Sequence, residues 1–147
     1  MGDRIHSNKN EAAKALVHLL NRPESLDCLI ALPPSGLMGG YLRAIKKASG
    51  ITAVVTDKPE NILERIRFYD IDSRPIEKKL TPKEKKLYLR EIKKDITYFC
   101  TSYQRANLQV DISGLYQDQA ARKVKEAVEE LDGKLMQQAR SEQTGWS

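Results

Sequence analysis

The sequence predicts an α/β fold: three layers, α/β/α, around a small, mainly parallel sheet. Two observations predict it. The runs "LDCLIAL" (26–32) and "ITAVVT" (51–56) are short and nearly free of polar residues, as strands buried on both faces are, and "NLQVDI" (107–112) reads as a third strand. Stretches with apolar residues at helical spacing separate them, and strands that alternate with helices make a parallel sheet covered by helices. Three strands are visible, few for such a sheet. At 147 residues the chain fits one domain. We place that domain at 1–139, with 140–147 as a flexible tail.

The elements follow in order. Asn8 with Glu11 three residues later resembles a capping box, and Leu16, Leu19 and Leu20 continue a helix over 8–21. Arg22-Pro23-Glu24-Ser25 breaks it before the first strand. After the loop "PPSGLMGG" (33–40), Tyr41, Leu42 and Ile45 mark one side of an amphipathic helix that ends near Gly50. The second strand leads into Asp57-Lys58-Pro59-Glu60, a turn with proline at the first helical position. Ile62, Leu63 and Ile66 form the buried side of the short helix that follows. Residues 68–80 lose periodicity and read as a loop. Thr81-Pro82-Lys83-Glu84 combines an N-cap threonine, an N1 proline and an N3 glutamate, so a helix starts there and runs to about Tyr103. Ser113-Gly114 turns the third strand into a last helix over 117–139, faced by Ala121, Val124, Ala127, Val128, Leu131 and Leu135.

Composition narrows the function classes. Hydrophobic content of 40% with 31% charged residues excludes a disordered chain. No apolar run approaches a membrane span, and the first residues lack the apolar core of a secretory signal, which implies a cytoplasmic protein. Cys28 and Cys100 have no metal-ligand spacing and read as small buried hydrophobes, and His6 and His18 have no acidic or thiol cluster beside them. The net charge of +5 is concentrated. Residues 78–94 carry eight Lys or Arg against two Glu, so the rest of the chain is close to neutral.

The glycine-bearing loop after the first strand poses the question of phosphate binding. A P-loop needs GxxxxGK[ST], in which backbone amides wrap the phosphates, the lysine reaches the β/γ oxygens and the hydroxyl holds magnesium. Here Tyr41, Leu42 and Arg43 follow Gly40, and no GK[ST] occurs anywhere. Pro33 and Pro34 also have no N–H to donate. The loop is not a Walker A motif, although a weaker anion site from Ser35 and the 36–40 amides stays open.

Several strings in sequence order resemble the shikimate kinase family, P-loop phosphotransferases of the nucleoside-monophosphate-kinase type. "LIALPPSGL" (29–37) stands where that family has a strand ending in a glycine triplet against shikimate. "ITAVVTDKPENILERIR" (51–67) is similar to its next strand, Pro-Glu turn and Leu-x-x-Arg helix, "DSRPI" (72–76) to the arginine-proline of the lid over ATP, and "SYQRANLQVDISGL" (102–115) to its last strand. The resemblance covers roughly residues 2–130. It implies ATP-dependent phosphorylation of shikimate as the family reaction, Arg65 and Arg74 on the nucleotide side, and Pro33, Pro34, Ser35 and Gly36 on the substrate side.

The departures from the family bear on activity. Its P-loop, the strand before it and the Asp-bearing second strand precede the point matching Met1, and Pro33-Pro34-Ser35 replace the glycine triplet. Where the family carries a substrate-binding arginine before Tyr103, this chain has Tyr98, Phe99 and Cys100. Charge clamping and positioning supply nearly all catalysis of phosphoryl transfer, so the chain is expected to be inert alone, with ATP and magnesium as cofactors only if the missing segment is supplied. The family's P-loop strand lies between the strands matching 26–32 and 51–56. The three visible strands are therefore expected to re-pair or self-associate, unless a partner chain or a longer polypeptide fills the slot.

The basic run supports a second function class, a binding module. Lys83, Lys86, Arg90, Lys93 and Lys94 on helix 81–99 could contact a polyanion, either nucleic acid or an acidic protein, with Tyr88 and Tyr98 nearby. The plain alternative is a solvated helix face. No nucleic-acid motif accompanies the run, which disfavours nucleic acid. An adaptor that keeps the fold for protein contacts is not separable from the kinase-like reading by sequence.

Overall fold

The computed structural model describes residues 2–23 and 28–145, with side chains from Glu11 onward. Its elements are α1 (Gly2–Leu20), α2 (Gly39–Lys47), β1 (Ala53–Thr56), α3 (Pro59–Arg65), β2 (Phe68–Tyr69), β3 (Pro75–Ile76), α4 (Pro82–Tyr103), β4 (Leu108–Asp111) and α5 (Gln117–Thr144). The chain is a mixed helix and strand structure with two small sheets. β1 pairs in parallel with β4, Ala53 opposite Leu108 and Val55 opposite Val110, and β2 pairs antiparallel with β3.

Side chains fix the β1–β4 register at its entrance. Asn107 Oδ1 accepts from the Thr52 amide and the Thr52 hydroxyl, both at 2.8 Å, while the Asn107 amide donates to Thr52 Oγ1 at 2.9 Å. A one-residue slip would break all three bonds and turn Val110 away from its helix. That helix is α5. Val110, Ile112 and Ala120 form a buried cluster, with Leu108, Leu115, Val124 and Ala127 packed against it. Gly114 takes a positive φ of 76° in the turn between β4 and α5, where a side chain would be strained.

A smaller apolar contact joins α1 to α2. Leu16, Leu37 and Ala44 are buried there, and a Cβ at Gly40 would stand 3.0 Å from that of Ala13, so glycine sets how closely these helices approach. Arg105 Nη1 donates to the Leu37 carbonyl at 2.9 Å and ties the loop before α2 to the turn after α4.

Several expectations need correction. Residues 28–32 of the expected first strand are irregular and unpaired, with Leu29 96% exposed, and residues 26 and 27 lie outside the described ones. Among the described residues the sheet therefore has two of the three expected strands, and re-pairing among all three does not occur. An apolar run specifies a strand only when a neighbouring backbone is there to take its hydrogen bonds. For the same reason Val55, expected to be buried, is 51% exposed. Cys28 and Cys100 are exposed, the first in the irregular segment and the second on the outward side of α4.

The remaining corrections concern helix ends and the loop. α1 begins at Gly2, so Asn8 lies inside the helix and does not cap it. α5 continues to Thr144, past 139, and its inner side begins at Ala120; Ala121 is exposed, and Leu135 is 47% exposed beyond the end of the core. Within 68–80, read as a plain loop, the two-residue strands β2 and β3 form a hairpin. The expected Thr81–Glu84 capping box is present in full, with bonds of 2.8 and 3.2 Å.

These differences make opposite predictions at two apolar residues. Ile112→Ala should lower unfolding free energy by about 2–4 kcal/mol in urea titrations, because it leaves a cavity in the cluster under α5. Leu29→Ala should change it by less than about 0.5 kcal/mol. Similar losses at both positions would show that 28–32 is a buried strand.

Candidate functional site

Open parallel sheets offer ligands the crevice outside the carboxyl ends of their strands. Thr56 and Asp111 end β1 and β4 side by side, and an open cleft of about 640 Å³ lies beyond them, lined by Asp57, Lys58, Lys93, Thr97 and Ser113 among others. A second, smaller hollow of about 370 Å³ lies between α3 and the start of α5, lined by Asn61, Glu64, Arg65, Leu115, Tyr116 and Gln117.

Asp57 organises the ground between the two. Its Oδ1 accepts from the Lys58 amide and from Asn61 Nδ2, each at 2.7 Å, and its Oδ2 pairs with Arg65 Nε at 2.9 Å. Burial of the carboxylate, whose side chain is 3% exposed, opposes its charge. Hydrogen bonds from Asn61, the Lys58 amide, Arg65 and Ser113 outweigh it and hold the pKa below the ordinary value. Arg65 uses its other arm as well, Nη2 donating to the Leu115 carbonyl at 2.8 Å. The pair thus clasps the start and end of α3 to the turn before α5.

Asp111 is arranged more locally. Ser113 donates to its Oδ1 from both amide and hydroxyl, at 2.9 and 2.6 Å, and these bonds lower its pKa. Lys123 Nζ reaches the Asp111 carbonyl oxygen. The cleft therefore carries two ionised carboxylates, one neutralised by Arg65, facing Lys58 and Lys93.

The residues expected on the nucleotide side do not meet. Arg65 is bound into the clasp, whereas Arg74 stands exposed at the tip of the β2–β3 hairpin. There Asp70 Oδ1 accepts the amides of Asp72 and Arg74, and Ser73 takes a φ of 60°. The hairpin is docked on α4 by Phe68, edge-on to Tyr88 with centroids 5.7 Å apart, with Lys78 Nζ 5.5 Å from its ring centre.

Pro33, Pro34, Ser35 and Gly36 form consecutive turns. The Gly36 amide donates to Pro33 O at 2.8 Å and the Met38 amide to Ser35 O at 3.1 Å, so two donors of the suspected anion site are spent internally. A Cβ at Gly36 would lie 2.5 Å from that of Leu32 and 2.9 Å from Pro33 O, which explains glycine by close approach, with no ligand needed.

The expected polyanion residues do share a face. On α4, Lys83, Lys86, Arg90, Lys93 and Lys94 fall on the side opposite Tyr88, Ile92, Ile96 and Phe99, and all five are exposed. Among the described residues only Lys94 of the five has an ion pair, with Glu91 at 3.1 Å. Cations at i,i+3 and i,i+4 repel, at about 0.2–0.5 kcal/mol per pair, and those in the first turn also face the positive end of the helix dipole.

Sequence reasoning missed the partners of these groups: Asp57, Asn61, Asn107, Arg105 and Ser113. Only Asp57 had a local signal, an acid before Lys-Pro-Glu at a helix start. Compared with protein-family models, curated proteins and solved structures, the chain matches none.

Asp57→Asn tests the clasp through pH. A lowered pKa means the folded state holds the charged form, so the stabilisation is complete above the unfolded value of 3.8 and disappears as pH falls through the folded one. At pH 7 the variant should be less stable by about 1 kcal/mol, a figure kept small because Arg65 is 37% exposed. The gap should persist down to about pH 5 and close below 3.8. A gap that widens in acid would contradict this.

Proposed function

We propose that the chain is a shikimate-kinase-like domain of the P-loop phosphotransferase type, catalytically incompetent by itself. One observation carries the reading: the open outer edge of β1. Thr52 and Thr56 turn their carbonyls to β4, accepting from Leu108 and Ile112 at 3.0 and 2.9 Å, so Ala53 and Val55 direct their N–H and C=O groups the other way. No described strand meets them. In the family that this sequence resembles, the P-loop strand occupies that side of the strand matching β1. A strand seated there would widen the parallel sheet, place a phosphate-binding loop beside the cleft and give segment 28–32 a partner.

The same reading gives the reason the chain alone is expected to be inert. The residues present include no GK[ST] to grip phosphates, and Pro33-Pro34-Ser35 present no glycine amides to a substrate. Arg65 and Arg74 belong to the nucleotide side in this proposal, and the turns at 33–36 to the substrate side. ATP and magnesium enter only with a P-loop-bearing segment.

Calorimetry on the chain with ATP·Mg²⁺ and with shikimate should give no binding below millimolar concentration. Adding a separately made polypeptide with a P-loop strand should slow amide exchange at Ala53 and Val55. Sub-millimolar binding by the chain alone would contradict the incompetence. Protected Ala53 and Val55 amides in a dilute monomer would contradict the open edge.

A further inference from the structure

We propose that the outward face of α4 binds single-stranded nucleic acid, with Lys83, Lys86, Arg90, Lys93 and Lys94 on successive phosphates and Tyr98 stacked on a base. At 3.6 residues per turn the five cations fall within an arc of about 100°. The helix's three acids, Glu84, Glu91 and Asp95, fall outside that arc. From Lys83 to Lys94 the stripe runs about 16 Å along the axis, and phosphate-tracking grooves of single-strand binders begin at about four nucleotides.

The fold leaves this charge uncompensated. Lys83, Lys86, Arg90 and Lys93 have no acidic partner within 4 Å among the described residues. The Lys94–Glu91 pair is exposed on both sides, so a phosphate can replace the carboxylate at little loss. Lys78 and Lys79 extend the positive field just before the helix, and Lys93 also lines the cleft beyond β1 and β4. Released counterions make such a stripe favourable for a polyanion.

Tyr98 decides among polyanions. It lies one turn beyond Lys94 at the margin of the stripe and is 70% exposed, with its ring braced edge-on against Phe99 at 4.8 Å. A base has a flat face to offer that ring, whereas an acidic peptide would satisfy the cations and leave the ring bare. An anionic membrane fits less well. A helix lying on lipid must present its apolar side, and in α4 that side is turned inward, with Tyr88 against Phe68 of the hairpin. The proposal is independent of the kinase-like reading.

Fluorescence anisotropy of the full chain with labelled U20, from 50 to 300 mM salt, tests it. The expected log K against log salt slope is about −3.5 for five phosphate contacts. Lys86→Glu with Arg90→Glu should weaken binding more than about tenfold and flatten the slope by about 1.4, with helix content by circular dichroism unchanged. Lys83→Gln with Lys93→Gln is a second, milder variant, expected to lose affinity in the same direction. Tyr98→Ala should cost about fivefold or more without altering the slope. Four results would overturn the proposal. They are no binding at 50 mM salt, unchanged affinity in the folded charge variants, tighter binding of duplex than of U20, and polyglutamate competing as well as U20 while Tyr98→Ala has no effect.

Discussion

Parallel strands cannot be joined by a tight turn, so once β1 and β4 run side by side, the chain from Asp57 to Asn107 must leave the sheet and return to its starting end. That single requirement places α3, the hairpin and α4. The Thr52–Asn107 bonds fix where the excursion closes, and the Asp57–Arg65–Leu115 clasp fixes how α3 departs and where α5 begins. With the register set, Leu108 and Val110 face α5, and the buried cluster follows. Loosening the two-strand register would therefore loosen the core and the cleft together.

The clasp also changes how Arg65 is understood. An arginine at the end of a short helix, next to a possible nucleotide hollow, invites a ligand role. In this fold two of its donor groups are already used, one on a nearly buried carboxylate and one on a backbone carbonyl. Removing it would strand the Asp57 charge, so a loss of function on mutation would not by itself identify a binding residue. Arg74 is the opposite case. Its backbone is held by Asp70, while its side chain has no acidic partner among the described residues, which leaves the guanidinium available to an anion.

What the sequence made legible follows from how far each signal reaches. The Thr81–Glu84 box spans four residues and was readable in full, as was proline at the first position of α3. Amphipathic spacing located α2, α4 and α5 because a helix closes its own hydrogen bonds. Segment 28–32 was misread because a strand depends on a partner chosen elsewhere in the chain. Asn107 and Thr52 lie 55 residues apart and Arg65 and Leu115 lie 50 apart, distances over which a single sequence carries no pairing signal. The basic stripe is intermediate. Its residues were visible, but its acid-free face and the exposure of Tyr98 emerge only when the buried side of α4 is known.

Two features of the fold point outward, and they differ in kind. The outer edge of β1 is a deficit of backbone partners: Ala53 and Val55 hold donors and acceptors that no described strand meets, and any strand could pair with them. The face of α4 is a surplus of charge, which repels its own members and attracts only anions. A backbone deficit is met by short-range, salt-insensitive hydrogen bonds, whereas the charge surplus acts over about 10 Å at 0.1 M salt and fades as salt rises. The two surfaces therefore respond to different partners under different conditions. A change in salt alone should shift occupancy of the α4 face while leaving the β1 edge as it was.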